Sequence, residues 1–345
     1  MTLSRLSLRS FRCYDRAEFA FVPGVNVIKG SNGAGKTTVI EAVGYLSTAR
    51  SFRKAPESEL IRFGQQESRV EAQAEVSGRS RHIEITLGTR RVIKAESEVL
   101  TSPRQLLGIL PSVLFSPEDI TLVRGGPAER RRFTDITLGQ LSPRYVTQLS
   151  RYKRLLRDKA KLLGAVAEKP SFLDMLPEIN AQLARIGAYI SGERAGLAST
   201  LARLAGEHHA AVSGGRETLS LNLKSHALDE RETLSHLERR VNAEIASRQC
   251  LVGSHKDELE LFLNGKPLRE YASQGQARTA SLALKLAQRD IFTKAFGEPP
   301  PLLLDDVLSE LDNARRAYIL GSAGGGQVII TCCDEAIEAE NVVTI

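Results

Sequence analysis

The stretch GSNGAGKT at residues 30–37 decides the fold, because it fits the phosphate-loop pattern G-x-x-x-x-G-K-[ST]. An apolar, strand-like run, VNVIK, enters it at residues 25–29, and a helical run, TTVIEAVGYL, leaves it at residues 37–46. In such a loop, backbone N–H groups and the helix N-terminus form a cradle for phosphate. Lys36 would reach the β- and γ-phosphates of ATP, and the Thr37 hydroxyl would ligate Mg²⁺. The competing interpretation is a glycine-rich turn that precedes a helix by chance.

An acidic strand supplies the second half of the predicted site. The run PLLLDD at residues 301–306 is typical of a buried strand that ends in carboxylates. Asp305 is placed to ligate Mg²⁺ directly or through water, and Asp306 to orient the attacking water. A buried strand that ends at an acidic turn is the alternative, and the phosphate loop argues against it. The predicted catalytic residues are Lys36, Asp305 and Asp306, the predicted metal ligands are Thr37 and Asp305, and the predicted nucleotide-binding residues of the loop are Gly30, Ser31, Asn32, Gly33, Ala34, Gly35, Lys36, Thr37 and Thr38.

The hydrophobic pattern divides the chain of 345 residues into two parts. Residues 2–29 and 68–99 alternate between apolar and polar side chains as strands do, and strand patterns return at residue 258. From about residue 120 to residue 249 the pattern has the 3.6-residue period of helices, with almost no strand signal. We therefore predict a discontinuous α/β domain formed by residues 1–120 and 250–345, interrupted by a mainly helical insertion at residues 121–249.

The positive charge of the chain is concentrated in one segment. The formal net charge is +6, yet residues 124–161 alone hold eleven basic and three acidic side chains, a surplus of eight. A basic helical face predicts a phosphate-directed, salt-sensitive interaction with DNA. The alternative is a solvated face that binds nothing, as many long helices have. The residues predicted to contact DNA are Arg130, Arg131, Arg151, Arg154 and Arg157.

Cysteine content and hydropathy argue against a secreted protein and against a membrane protein. The four cysteines form no C-x-x-C pair, and we interpret the adjacent Cys332 and Cys333 as small buried residues rather than as redox or metal groups. The N-terminus carries charges throughout, and no apolar run approaches the roughly 18 residues that a membrane span needs. These features favour a cytoplasmic protein without membrane contact.

A third motif, together with the phosphate loop and the acidic strand, resembles a known family of ATPases. Residues Tyr271–Gln276 read YASQGQ, start a predicted helix, and resemble the signature of ABC-type ATPases, with Gln274 at the position of its first glycine. The run at residues 309–312 resembles the loop by which two such subunits join. The whole chain resembles the RecF family of SMC-related ATPases, with further matches at residues 11–12, 49–53, 115–119, 126–133 and 253–257.

The resemblance implies the fold class of an ABC-type P-loop ATPase head, with a mixed sheet, an antiparallel β meander and an inserted, mainly helical second domain. It also implies a homodimer that ATP assembles on duplex DNA near single-strand gaps and ss/ds junctions, with RecR and RecO as partners that help to load RecA. Each phosphate loop would face the signature of the other subunit, so that nucleotide is also bound by Ser273, Gly275 and Gln276. Arg12 is implied to contact the nucleotide, and the alternative is an ordinary surface arginine.

Departures from the family pattern predict slow hydrolysis, as in a switch. Asp306 stands where a glutamate is usual, and Cys333 lies in the loop where a histidine usually senses the γ-phosphate. The usual glutamine near residue 116 is replaced by either Ser116 or Glu118. We therefore expect a weak Mg²⁺-dependent ATPase. A transporter-type nucleotide-binding subunit and an ATP-binding interaction protein with negligible hydrolysis remain alternatives, and roles for His255 and Lys256 on phosphate or DNA stay open.

Overall fold

A computed structural model describes residues 1–166, 168–227, 229–322, 325–333 and 337–345. Their strands are β1 (Thr2–Phe11), β2 (Tyr14–Ala20), β3 (Val25–Lys29), β4 (Ser68–Val76), β5 (Arg79–Leu87), β6 (Val92–Ala95), β7 (Glu98–Val99), β8 (Val113–Phe115), β9 (Leu219–Lys224), β10 (Glu258–Leu263), β11 (Lys266–Pro267), β12 (Leu302–Asp305), β13 (Val328–Cys332) and β14 (Asn341–Thr344). Their helices are α1 (Lys36–Thr48), α2 (Glu57–Leu60), α3 (Thr121–Arg124), α4 (Pro127–Leu141), α5 (Pro143–Ala165), α6 (Leu176–Ser213), α7 (Glu230–Ser247), α8 (Leu268–Tyr271), α9 (Gln274–Phe296) and α10 (Asn313–Ser322). Within these ranges, no helix combines the length and the apolar character that crossing a membrane requires.

The first compact unit comprises residues 1–120, 207–217 and 274–345 and contains two sheets. The six-stranded sheet has the order β2-β1-β4-β5-β6-β7 and is antiparallel throughout. In β4, alternate side chains from Ser68 to Val76 are buried, as expected for a sheet with one solvated face. The five-stranded sheet has the order β14-β3-β13-β12-β8 and is parallel. The predicted fold class is confirmed, with the two strand orientations in separate sheets.

Helix α1 packs against strands of both sheets. Its Val39, Ile40, Val43 and Leu46 are completely buried in the main hydrophobic cluster of the unit. Burial of one such side chain stabilises a fold by about 1.5–3 kcal/mol. The phosphate loop at the start of α1 is therefore attached to a well-packed helix.

Parallel pairing brings three chain segments to one edge of the five-stranded sheet. Asp305 at the end of β12 is the register partner of Thr331 in β13. Cys332 at the end of β13 is the partner of Lys29, which precedes the phosphate loop. Because the carboxyl ends of parallel strands meet at the same edge, the loop and the acidic residues become neighbours.

The second compact unit comprises residues 121–206 and 218–273. Helix α4 packs on α5 and on β10, and α5 also contacts α7. The buried Arg194 of α6 donates to Asp257 Oδ2 at 2.9 Å and to Asp135 Oδ1 at 2.8 Å. These charged bonds connect α6 with α4 and with the segment that precedes β10, where loss of one partner would leave a buried charge unpaired.

The boundaries of this unit differ from residues 121–249. Sequence reasoning missed strand β9, which pairs antiparallel with β10 so that Leu221 lies opposite Leu261. Both strands belong to the second unit, which extends as far as Ser273. Residues 207–217, in contrast, have most of their contacts within the first unit.

Candidate nucleotide site and basic helical face

The phosphate loop connects β3 to α1, and two of its glycines hold backbone conformations that other residues avoid. Gly33 has a φ of 85° and Gly35 has a φ of 108°. A Cβ atom built on Gly35 would lie 2.8 Å from both Cys13 Sγ and the Tyr14 hydroxyl oxygen. Glycine is therefore needed at position 35 both for conformation and for space.

Lys36, the first residue of α1, directs its ammonium group into the loop. Lys36 Nζ donates hydrogen bonds to the carbonyl oxygens of Gly30 at 2.7 Å and Ser31 at 3.0 Å. The Lys36 side chain is largely buried. The cation is thus held among the backbone groups of the loop, where it can meet the charge of a phosphate.

Cys333 completes the surroundings of this ammonium group. Lys36 Nζ lies 3.3 Å from Cys333 Sγ, and that thiol donates to Asn32 Oδ1 at 2.9 Å. The interpretation of the adjacent cysteines as small buried residues is confirmed for Cys332, which is buried in β13. Burial is wrong for Cys333, which follows β13, is only partly buried and lies beside the phosphate loop.

Two threonine hydroxyls converge on the carboxylate of Asp305. Thr37 Oγ1 donates to Asp305 Oδ1 at 3.0 Å, and Thr331 Oγ1 donates to the same oxygen at 2.9 Å. The Thr331 hydroxyl also accepts a hydrogen bond from the backbone N–H of Asp306 at 2.9 Å. Hydroxyl and carboxylate oxygens are ligands that suit Mg²⁺, so the donor set around Thr37 and Asp305 fits this ion. Sequence reasoning missed Thr331, although its place on the neighbouring parallel strand was available as a signal.

Burial raises the pKa of Asp305, and the charges of Glu118 and Asp306 raise it further, whereas the bonds from Thr331 and Thr37 oppose the change. An acid with a raised pKa binds its proton more tightly in the folded than in the unfolded chain. Ionised Asp305 therefore costs folding free energy at neutral pH, and the folded state gains stability as the pH falls through this pKa.

Asp305→Asn removes the charge and keeps an oxygen that can accept the threonine bonds. We expect the melting temperature of the ligand-free variant at pH 7 to rise by about 2–4 °C, equivalent to about 1 kcal/mol. The additional stabilisation of the wild-type protein by ATP that depends on Mg²⁺ should be lost. Thermal melts with and without ATP and Mg²⁺ measure both effects, and an unchanged Mg²⁺ response would contradict the assignment of Asp305 as a ligand.

Arg12 is fixed by an acidic side chain of α1. Arg12 Nε and Nη2 donate to the two carboxylate oxygens of Glu41 at 3.0 and 2.9 Å. Ser51 Oγ donates to Glu41 Oε1 at 2.5 Å, and Arg53 Nη1 lies 3.7 Å from Oε2. Glu41 is completely buried and orders both arginines. Sequence reasoning missed Glu41, although an acid within an otherwise apolar helical run was the available signal.

Several of the predicted site residues line one cavity of about 920 Å³ in the first unit. Its volume is within the range of small-molecule sites. Ser58, Glu59 and residues 61–65 form a further part of its wall. Ala34 N donates to the carbonyl oxygen of Ser31 at 3.2 Å and so closes the loop beside the cavity. The predicted site residues that line this cavity are Arg12, Asn32, Gly33, Gly35, Lys36, Thr37, Thr38 and Asp306.

Asp306 is exposed and has a φ of 51°, a left-handed conformation that directs the chain away from β12. Of the two residues considered in place of the usual glutamine, Ser116 is engaged within its own turn, where its N–H donates to Asp119 Oδ2 at 2.9 Å. Glu118 is exposed, and its charge acts on Asp305. Of this pair, Glu118 is therefore the residue whose charge influences Asp305.

The signature-like motif runs from Tyr271, the last residue of α8, into the first turn of α9. Ser273 and Gly275 are exposed, and a Cβ atom on Gly275 would meet no described atom within 4 Å. Gln276 Nε2 donates to Glu217 Oε1 at 2.7 Å, and Glu217 Oε2 lies 3.1 Å from Nε2 of the buried His209. The side chain of Gln276 is thus held by its own subunit, whereas the motif exposes the backbone at Gly275.

The basic face belongs to α5 in the second unit. Ser142 caps this helix by accepting a hydrogen bond from Tyr145 N at 3.2 Å, and Tyr145 and Tyr152 are buried on its packed side. Arg151 remains exposed while it donates to Gln182 Oε1 at 3.0 Å. The exposed basic side chains of α5 are Arg144, Arg151, Lys153, Arg154, Arg157 and Lys161.

Two basic residues of the segment are not part of an accessible surface. Arg130 is only 4% exposed and forms an ion pair with Glu258, so its prediction as a DNA contact is wrong. Lys159 and Glu244 form an ion pair at 2.5 Å with both side chains completely buried. Arg131 is half-buried and donates to the carbonyl oxygen of Asp257 at 2.9 Å.

His255 has a structural role within the second unit. Its Nε2 donates to the carbonyl oxygen of Cys250 at 2.9 Å, and its Nδ1 lies 3.1 Å from the Tyr152 hydroxyl. Burial lowers the pKa of His255, which favours the neutral ring. Lys256 is exposed beside it.

Comparisons with known proteins agree with this geometry. A family model described as the RecF/RecN/SMC N terminal domain matches residues 2–344. The DNA replication and repair protein RecF of Symbiobacterium thermophilum is 38% identical over 349 residues, which cover 97% of this chain and 92% of that protein. The RecF protein of Agathobacter rectalis is 34% identical over 334 residues, which cover 96% and 92%.

Solved structures show the same relationship. A structure described as the recombination mediator protein RecF-ATP in the RecFOR pathway superposes with a TM-score of 0.94 at 31% identity, covering 99% of this chain and 95% of that one. The Smc head domain of Pyrococcus furiosus superposes with a TM-score of 0.56 at 17% identity, which shows a shared fold. The phosphate loop and acidic strand on this fold define an ABC-type ATPase head of the SMC kind. Within that class, the chain belongs to the RecF family.

Proposed function

We propose that this chain is an ATP-dependent DNA-binding protein of recombinational repair and replication restart. The observation that carries the proposal is the group formed by Lys36, Thr37 and Asp305 at one edge of the parallel sheet. The names of the relatives as DNA replication and repair proteins, and of a structural neighbour as a recombination mediator with ATP, support it. We propose that it acts on DNA in the cytoplasm, without a membrane partner.

The proposed chemistry is slow hydrolysis of ATP to ADP and phosphate. The N–H groups of the loop and Lys36 would hold the β- and γ-phosphates, and Thr37 and Asp305 would hold Mg²⁺, which neutralises phosphate charge. Asp306 would orient the attacking water. Its side chain is one methylene shorter than glutamate, and positioning is what dominates phosphoryl transfer, so we expect weak turnover that acts as a switch.

ATP is proposed to join two copies of the chain. The exposure of Ser273 and Gly275 supports a signature surface that contacts the γ-phosphate bound by a second subunit. Hydrolysis would then release the dimer from DNA. By analogy with the RecFOR pathway named for the structural neighbour, we propose RecR and RecO as partners in loading RecA near gaps and ss/ds junctions.

Light-scattering mass in solution tests this proposal directly. The chain has a mass of 37.8 kDa, and we expect twice that value with ATP and Mg²⁺ but not with ADP. If the mass stayed at one chain with ATP both in the absence and in the presence of a short DNA duplex, the dimer switch would be wrong.

The exposed side of α5 is proposed to bind the DNA backbone. It presents Arg151, Arg154 and Arg157 together, and Arg131 lies on the preceding helix of the same unit. Contacts of this kind are directed at phosphate and carry little base sequence information. Arg130 is left out because its guanidinium group is buried.

Charge reversal of Arg151, Arg154 and Arg157 to glutamate should weaken binding to a short duplex and flatten its salt dependence by about 0.9 per lost phosphate contact in a log–log plot. Binding titrations at several salt concentrations measure both quantities. Reversal of the exposed Arg231, Arg239 and Arg240 on α7 changes the net charge equally and is the matched control. Equal effects of the two triple variants would place the DNA contact elsewhere.

An ATP-binding interaction protein with negligible hydrolysis is the second candidate. The short Asp306 side chain and the thiol of Cys333 beside Lys36, where a histidine is usual, favour it. Single-turnover hydrolysis with the dimer on DNA distinguishes the two candidates, because the switch requires product to form. Because the chain belongs to the RecF family, we no longer consider a transporter-type nucleotide-binding subunit.

A further inference from the structure

A tight turn at residues 62–65 presents an aromatic ring to solvent. The N–H of Gln65 donates to the carbonyl oxygen of Arg62 at 3.0 Å, and Gly64 has a φ of 81°. Phe63 therefore lies at the tip of the turn, and its side chain is fully exposed. A ligand that covers this ring would gain the free energy of burying its apolar surface.

The turn is held in place by the end of β1 and the residues that follow it. The N–H of Arg62 donates to the carbonyl oxygen of Ser10 at 2.8 Å. The N–H of Arg12 donates to the carbonyl oxygen of Leu60 at 2.9 Å. Arg62 Nη1 also forms an ion pair with Asp15 at 3.0 Å. The exposed ring is thus carried by an anchored segment, and the exposure is a property of the fold.

Phe63 lines the same cavity as the phosphate loop. Lys36 and Thr37 mark the part of the wall suited to phosphates, and Ile61 and Phe63 mark an apolar part. Ser58 and Glu59 add polar groups to this second part. A nucleotide with its phosphates on the loop leaves its ribose and base to be covered, and the apolar part of the cavity offers the complementary chemistry.

We propose that Phe63 is the stacking platform for the purine base of the nucleotide. This inference rests on the proposed function, because it takes the loop as the place of the triphosphate. Stacking on an aromatic ring is tolerant of base identity, since every base has a π-face. Phe63 therefore supplies affinity for the base of ATP and GTP alike, and no affinity for a triphosphate without a base.

The test compares ATP, GTP and inorganic tripolyphosphate, each with Mg²⁺, on the wild-type protein and on Phe63→Ala. We expect the dissociation constants of ATP and GTP to rise about tenfold in the variant, in line with the loss of one base–aromatic stack, while that of tripolyphosphate stays unchanged. Val99→Ala, which shortens another exposed apolar side chain of the same unit, is the control and should change none of the three.

Phe63→Trp gives an independent signal, because the chain contains no tryptophan. Binding of ATP should quench the emission of the introduced indole, and tripolyphosphate should leave it unchanged. This variant should also keep the affinity for ATP within about twofold, since indole stacks at least as well as phenyl.

The outcomes separate the inference from the function on which it rests. Unchanged ATP affinity in Phe63→Ala would overturn the stacking role, and an equal loss for ATP and tripolyphosphate would show that the turn supports the loop instead. If the wild-type protein bound neither ATP nor tripolyphosphate, the proposed function itself would fall, and the stacking role with it.

Discussion

Lys36→Met is expected to abolish ATP-dependent dimerisation by removing the cation from the phosphate loop. Lys36 Nζ lies among the loop carbonyls, so the methionine variant keeps the length of the side chain while it loses the charge. A hydrogen bond to a charged group is worth about 1.5–3 kcal/mol, and we expect the dissociation constant for ATP to rise on the order of 100-fold. Calorimetric titration measures the affinity, and light scattering measures the mass with ATP.

The matched control for this variant is Lys294→Met. Lys294 is an exposed lysine near the end of α9 in the same unit, so the change removes one charge from the surface without touching the loop. Its ATP affinity should stay within about twofold of the wild-type value, as is usual for surface substitutions. A Lys36→Met protein that still doubled its mass with ATP would show that the loop does not govern assembly.

Ser273→Arg is expected to separate binding from assembly. The residue is exposed and lies immediately before α9, outside the phosphate loop, so each subunit should bind ATP within about twofold of the wild-type affinity. In a dimer, the long arginine side chain would occupy the surface proposed to meet the nucleotide of the other subunit. Overpacking costs about 1–3 kcal/mol and an unpaired buried charge at an interface about 2–5 kcal/mol, so we expect dimerisation to weaken on the order of 100-fold or more.

Ser235→Arg on α7 introduces the same side chain at another exposed serine of the second unit and should dimerise normally. The two variants are compared by light scattering across a range of protein concentrations, with calorimetry to confirm that ATP is bound. Normal dimerisation of Ser273→Arg would remove the signature surface from the mechanism, whereas a loss of ATP binding would mean that the residue acts within its own subunit.

The phosphate loop and the acidic strand could be predicted because both are local patterns. Glycines, lysine and threonine at fixed spacing determine the loop, and the apolar run before Asp305 identifies the strand. Strand β9 escaped prediction because it is a single short strand between helices, and it becomes stable only by pairing with β10, more than 30 residues later. Strands that far apart are paired by the tertiary structure, and the hydrophobic pattern of one segment alone does not reveal its partner.

The accessible and the buried cations of the basic segment could not be separated by sequence. Arg130 and Lys159 carry the same charge as their neighbours and are buried because Glu258 and Glu244 lie opposite them. Each acid comes from a distant part of the chain. Charge counting therefore identified the correct segment and overestimated the number of side chains that it offers to a ligand. Glu41 was missed for a related reason, because its partner Arg12 lies in the turn between β1 and β2, far from α1 in the sequence.

The hydroxyl of Thr331 has a consequence for how the acidic centre moves. It donates to the carboxylate of Asp305 and accepts from the N–H of Asp306, so one small group ties together two adjacent residues with different tasks. Since Thr331 belongs to the strand between β3 and β12, the bracing comes from the middle of the sheet. The Asp305 carboxylate and the backbone of Asp306 are therefore tied to the same hydroxyl, so a displacement of β13 would be transmitted to both residues.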